Sequence, residues 1–137
     1  MKKIELFEMI AGLFDFKTVR DEADNEYVLY AGSPLYSAGG MNITDRTGFE
    51  AVENHVHLAD NVKNDEFERW IRVGDVLGRL LADRLKGQFP QKKFVVFVTV
   101  SLHDSVIVRF HQKWAGEPPY YDVSCPCEKG EHLAVFE

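Results

Sequence analysis

Cysteine is almost missing from this sequence: only Cys125 and Cys127 occur, one residue apart. A disulfide across so short a loop is strained, and a secreted disulfide framework needs more and better separated cysteines. The fold must therefore rest on a hydrophobic core, and the expected location is the reducing cytoplasm. Basic residues are outnumbered, 16 against 22 acidic, for a net charge of −6. That balance excludes broad nucleic-acid affinity, which needs a net supply of Lys and Arg. No apolar run approaches the ~20 residues of a membrane-spanning helix. The start, Met1-Lys2-Lys3-Ile4, imitates a signal peptide until Glu5, Glu8 and Asp15 interrupt the apolar stretch, so neither export nor membrane association is expected. Phosphate-binding loops, dinucleotide fingerprints, H-E-x-x-H and G-x-S-x-G are all missing. An enzyme is not the favoured expectation, and no cofactor is expected.

What remains is an ordinary globular balance of 45% apolar and 28% charged residues over 137 positions. A chain of this size buries about two-thirds of its unfolded surface, so a single domain over residues 1–137 is expected. Charge is unevenly spread. Residues 1–68 carry 6 basic and 14 acidic groups (−8), residues 69–113 carry 9 and 3 (+6), and residues 114–137 carry 1 and 5 (−4).

Periodicity predicts an α+β fold. Ile4, Phe7, Ile10, Leu13 and Phe14 recur at helical spacing and predict an N-terminal helix over about 3–15. Tyr27–Tyr30 reads as a strand. Residues 41–58 read as a hairpin, with a turn at Asp45-Arg46-Thr47-Gly48 and a second arm from Phe49 to Leu58. A long central helix is predicted over about 65–86, from a stripe through Phe67, Trp70, Ile71, Gly74, Leu77, Leu81 and Leu85. Gly74 and Gly78 each cost about 1 kcal/mol of helix propensity, which predicts a close packing neighbour, the sheet. Gly87 and Pro90 are expected to end that helix. Residues 94–112 form a second hairpin, whose first arm, Phe94–Val100, reads as a central strand covered on both faces. Leu133–Phe136 adds a last strand. The sheet is expected to be mostly antiparallel, built from the two hairpins and flanking strands against the two helices.

Four constellations bear on chemistry. His55 and His57 share a strand face with Glu53 beside them, and His111 on the other hairpin is a third histidine, so Glu53, His55, His57 and His111 are candidate metal ligands. Cys125, Cys127 and His132 are a second candidate set, with no second cysteine pair to complete it. No metal is favoured from either. His103-Asp104-Ser105 has the letters of a triad, but adjacent residues in a turn cannot stand in line as nucleophile, base and acid. Arg109, His111, Trp114, Tyr120 and Tyr121 form a basic and aromatic patch, and Trp, Tyr and Arg dominate binding hot spots.

The expected function is a small acidic binding protein that recognises a protein partner of basic character. The immunity-type inhibitors that neutralise basic toxins supply the class-level analogy. Trp114, Tyr120 and Tyr121 would make contact, and Asp21, Glu22, Asp24 and Glu26 would supply the steering charge. The alternative is a small metal-dependent or acid/base enzyme using His55, His57, Arg109 and His111. A homo-oligomer paired through an exposed sheet edge is a further expectation.

Overall fold

The computed structural model describes residues 2–35, 45–124 and 127–137 of the chain. Three helices and six strands follow in the order α1 (Lys3–Gly12), β1 (Phe16–Arg20), β2 (Glu26–Tyr30), α2 (Arg46–Glu53), β3 (His55–Asp60), α3 (Phe67–Gln88), β4 (Phe94–Ser101), β5 (Ser105–Gln112) and β6 (Glu131–Phe136). The fold is α+β, as periodicity predicts. β1 and β2 form a two-stranded antiparallel sheet, and the other strands form an antiparallel sheet in the order β3-β5-β4-β6. No helix among the described residues is long and apolar enough to cross a membrane.

The helix α3 lies on one face of the larger sheet. Val96, Val98 and Val100 of β4 and Val106, Val108 and Phe110 of β5 point toward it, and all six are buried. β4 sits between β5 and β6 and is covered on both faces, as its apolar run predicts. The glycine prediction also holds. A Cβ on Gly74 would stand 2.7 Å from Cγ1 of Val98, and one on Gly78 would collide with the Phe136 ring. Gly87 behaves differently from its expected role as a helix stop, because α3 continues through it to Gln88 and ends where Phe89 leaves helical geometry, before Pro90. The smaller sheet closes the core from the side: Tyr30 meets Phe110 edge-on at 4.9 Å and Phe16 meets it at 5.7 Å.

The hairpin expected over residues 41–58 is corrected. Residues 41–44 lie outside the described residues, and residues 46–53 form the helix α2 rather than a strand. The Asp45 carboxylate accepts from the Gly48 N–H at 2.6 Å, so the pair read as opening and closing a turn is a helix N-cap. The helix is easy to miss because its inward face is polar: Thr47, Glu50, Ala51, Glu53 and the following Asn54 are all buried. These positions follow helical spacing without the apolar side chains by which such spacing is usually recognised.

The polar face exists because α2 fills the gap between the two sheets. Two N–H groups of β2 find no strand partner there. The Glu50 carboxylate accepts from Val28 N–H at 2.9 Å, and Asn54 Oδ1 accepts from Tyr30 N–H at 2.9 Å. Across the gap, the β5 N–H groups of Phe110 and Gln112 donate to the Asn54 carbonyl (3.2 Å) and to the other Glu50 oxygen (2.7 Å). Asn54 Nδ2 returns a bond to the Val28 carbonyl at 2.8 Å. One helix thus replaces a missing strand with side chains, which satisfies backbone groups that would otherwise be buried and unpaired.

Candidate functional site

The face of the large sheet away from α3 carries the residues singled out by sequence. Strand register sets His55 of β3, Arg109 of β5, Phe97 of β4 and Val135 of β6 side by side in one row, with His57, Ile107, Thr99 and Leu133 in the next. His55 and His57 do share this face, their rings 5.6 Å apart. Glu53 does not continue the row, since it belongs to α2, where it is buried and accepts from Ser33 Oγ at 2.7 Å. Glu53 and His55 instead line a cavity of about 200 Å3 under α1.

After β5, the chain folds back over this sheet face. The Arg109 guanidinium is buried, donates to the Ala51 carbonyl at 2.5 Å, and lies 4.6 Å from the Tyr120 ring centre and 5.7 Å from that of Tyr121. Tyr121 in turn packs edge-on against Phe97 at 5.0 Å. Arg109 has no hydrogen-bond partner for Nε among the described residues, so the Ala51 carbonyl and the two π faces are what offset its burial. His111 sits beside it, 1% exposed, with Nδ1 donating to the Gln112 carbonyl at 2.7 Å and Nε2 accepting from the Tyr120 N–H at 3.1 Å. Both ring nitrogens are used, which fixes the neutral tautomer and leaves no lone pair for a metal.

Burial holds the His111 ring below its ordinary 6.5, with the nearby Arg109 charge acting in the same direction and Glu117 opposing it. A histidine depressed in the folded state takes up its proton on unfolding as pH falls below 6.5, so it contributes stability at neutral pH that acid removes. Thermal unfolding between about pH 7 and pH 5 is expected to show this loss, and a smaller loss in His111→Gln. Equal slopes in the two proteins would contradict this reading of His111.

The Trp114–Tyr121 segment divides into a sealing part and a presented part. Trp114 is half-buried, donates from Nε1 to Glu50 at 2.8 Å, packs against Tyr27 at 5.3 Å and lies under the Arg46 guanidinium at 4.8 Å. It closes the core. Tyr120 is 40% exposed, with its ring fixed from below by Arg109.

Arg46 joins this segment to the acidic turn between β1 and β2. Its Nε donates to Glu117 at 2.7 Å, and its two terminal nitrogens reach the Ala115 carbonyl at 3.1 Å and Asn25 Oδ1 at 3.5 Å. Burial alone raises the Glu117 carboxyl, but the Thr47 N–H and the Arg46 guanidinium outweigh it and hold it below the usual value. In the turn, Asp21 accepts from Asn25 and from the Tyr27 hydroxyl (2.7 Å), and these bonds pull its carboxyl down to about 2. Asp24 and Glu26 both pair with Arg20, at 2.9 and 2.8 Å, and Glu22 is exposed. A cleft of about 500 Å3 lies between the turn and the loop, lined by Arg20, Asp21, Tyr27, Arg46 and Glu117. On the other side of the loop, a second cleft of about 370 Å3 is lined by Asp104, Ser105, Tyr121, Asp122 and Glu131. The acidic turn borders the first cleft and Tyr121 the second, with the loop between them. Arg46 and Glu117, which join the turn to the loop, carry no sequence signal beyond their charge.

The metal candidates fare differently. Among the described residues, no group of three His, Cys, Asp or Glu side chains is placed to hold an ion. Of the four candidates Glu53, His55, His57 and His111, Glu53 is buried on α2 and both ring nitrogens of His111 are hydrogen-bonded. Cys125 lies outside the described residues, Cys127 is an exposed free thiol, and His132 stands on β6. The His103-Asp104-Ser105 run is the β4–β5 turn: His103 takes φ 63°, and the Asp104 carbonyl accepts from Val62 N–H at 3.3 Å.

Neither curated proteins nor solved structures gave a match to the chain. The profile of the family described as Uncharacterized protein PM0498 family matches residues 37–125, which is 89 of the 137 positions and includes α2, the β4–β5 hairpin and the aromatic loop. The chain belongs to the Uncharacterized protein PM0498 family.

Proposed function

We propose that this protein is a non-enzymatic binding module of the cytoplasm that recognises a basic protein partner, in the manner of an immunity-type inhibitor. The observation that carries this reading is the Tyr120–Tyr121 pair, presented on a sheet face and locked by the buried Arg109 beneath it. A rigid exposed aromatic loses little conformational entropy on binding, which is why such side chains anchor interfaces. Acidic groups flank it on both sides: Asp21, Glu22 and Asp24 beyond the first cleft, and Asp104, Asp122 and Glu131 around the second. Negative potential around an aromatic anchor favours a cationic partner and speeds encounter with it. The bonds holding Asp21 keep its carboxyl charged well into the acid range.

Tyr120→Ala is expected to weaken partner binding by about 10- to 100-fold, mainly through faster dissociation. The backbone N–H that bonds His111 survives this change, so the fold is retained. Neutralising Asp21, Glu22 and Asp24 together is expected to slow association and flatten its salt dependence while leaving dissociation nearly unchanged. Surface-plasmon kinetics at two ionic strengths separates the two effects. Unchanged kinetics in both variants would rule out this surface as the site.

A further inference from the structure

The bond that ties down the aromatic segment ends on a titratable ring. Pro118 and Pro119 have no N–H, so the Tyr120 N–H is the first after Glu117 that can fasten the loop backbone to the sheet. It donates to Nε2 of His111 on β5 at 3.1 Å. The other ring nitrogen, Nδ1, faces the Gln112 carbonyl at 2.7 Å, and a carbonyl only accepts. Nε2 therefore carries the one free lone pair of a neutral imidazole, and the loop depends on it. The ring is 1% exposed and packs 5.6 Å from the Phe97 ring. It also lines a cavity of about 190 Å3 between the loop and the sheet, with Thr47, Lys113, Trp114, Glu117 and Glu137. Lifting the loop would expose it.

A proton on Nε2 would set one N–H against another, with no acceptor between them. Both nitrogens of an imidazolium are donors, so turning the ring over does not relieve the conflict. Arg109 on the same strand adds like-charge repulsion, while Glu117 from the loop and Asp45 at the α2 N-cap act in the other direction. Those carboxylates are already engaged, Glu117 with Arg46 at 2.7 Å and Asp45 with the Gly48 N–H. Lys113 and Glu137 at the cavity pair with each other at 2.9 Å, and Glu50 on α2 is held by its own donors. We propose that His111 is an acid-operated catch: neutral, it holds the Tyr120–Tyr121 segment on the sheet, and protonated, it releases that segment. Trp114 and Glu117 keep their bonds to Glu50, Arg46 and Thr47, so the release begins at the two prolines. Once the segment lifts, the ring meets water and regains its ordinary 6.5, so acid favours the open arrangement. The open population then rises by up to about tenfold for each pH unit below that value. A bound partner would be shed in mild acid, a consequence that rests on reading this segment as the partner's contact.

Amide hydrogen exchange of the free protein, read residue by residue by NMR and corrected for the intrinsic exchange rate, tests the catch. Protection of the Tyr120 N–H is expected to fall about tenfold between about pH 7 and pH 5. Val98, on β4 between β5 and β6, supplies the reference for global unfolding. Local release keeps Tyr120 protection at least ~10-fold below that of Val98 at every pH. His111→Gln takes up no proton, so its Tyr120 protection should not vary with pH. The ring-nitrogen shifts of His111 in the wild-type protein check the same point without a substitution, and should change in step with the loss at Tyr120. Tyr120 protection that is constant with pH, protection equal to that of Val98, or the same loss in His111→Gln would each overturn the proposal. No partner enters these measurements, so their failure is distinct from failure of the binding reading, which Tyr120→Ala kinetics decides.

Discussion

Glu50→Gln is expected to destabilise the protein by about 3 kcal/mol, although it changes one oxygen to nitrogen at constant size. Each carboxylate oxygen of Glu50 accepts two bonds: one from Gln112 N–H (2.7 Å) and Trp114 Nε1 (2.8 Å), the other from Val28 N–H (2.9 Å) and Gln112 Nε2 (2.6 Å). All four partners are donors. An amide must turn its NH2 toward two of them, whichever way it is placed, and each buried donor left unpaired costs about 1–3 kcal/mol. Burial pushes the Glu50 carboxyl above its ordinary value, while the four bonds oppose that push. A protonated carboxyl would face the same conflict as the amide, so the geometry fits the ionised form. The effect is large because Glu50 connects β2, β5 and the Trp114 segment at one point. Urea unfolding followed by tryptophan fluorescence measures it, since Trp114 reports the loss of its own bond. A change below about 1 kcal/mol would mean that water or a shifted backbone replaces those bonds.

Gly78→Ala gives the second large effect, with a sign opposite to helix propensity. Alanine in a helix interior gains up to about 1 kcal/mol over glycine. At Gly78, however, the new methyl group collides with the Phe136 ring and lies 3.0 Å from Cγ2 of Val98, which is buried on β4. Crowding of this kind typically costs about 1–3 kcal/mol, so a net loss of about 1 kcal/mol remains after the propensity gain. Gly87 supplies the internal control. It lies in the same helix, and nothing stands within 4 Å of the position its Cβ would take. Gly87→Ala should therefore stabilise by up to about 1 kcal/mol. If both substitutions shifted the melting temperature in the same direction, the close approach of α3 to the sheet would not be what requires Gly78.

These two sites mark where the sequence was legible and where it was not. Gly74 and Gly78 stand inside a strongly periodic helix where propensity disfavours them, and that conflict points to a sheet packed close against them. The β4–β5 hairpin was equally readable, because β-branched and aromatic runs bounded by Leu102-His103-Asp104 admit few alternatives. α2 was not readable. Its buried face is Thr47, Glu50, Glu53 and Asn54, and they are buried because two strands leave backbone N–H groups unpaired between them. That reason lies in tertiary structure and leaves no hydrophobic period behind. The same holds for the proposed binding surface: Trp, Tyr and acidic residues could be named from composition, but the division of labour between them could not. Trp114 closes the core through Glu50 and Arg46, whereas Tyr120 faces outward only because Arg109 lies beneath it.

Affinity capture from native lysate with the wild-type protein and with a Tyr120→Ala, Tyr121→Ala double variant, each at low and high salt, tests the central claim most directly. The account predicts one stoichiometric basic protein on the wild-type bait at low salt, lost at high salt and lost from the double variant. Retention of the same partner by the double variant, or a partner indifferent to salt, would contradict it.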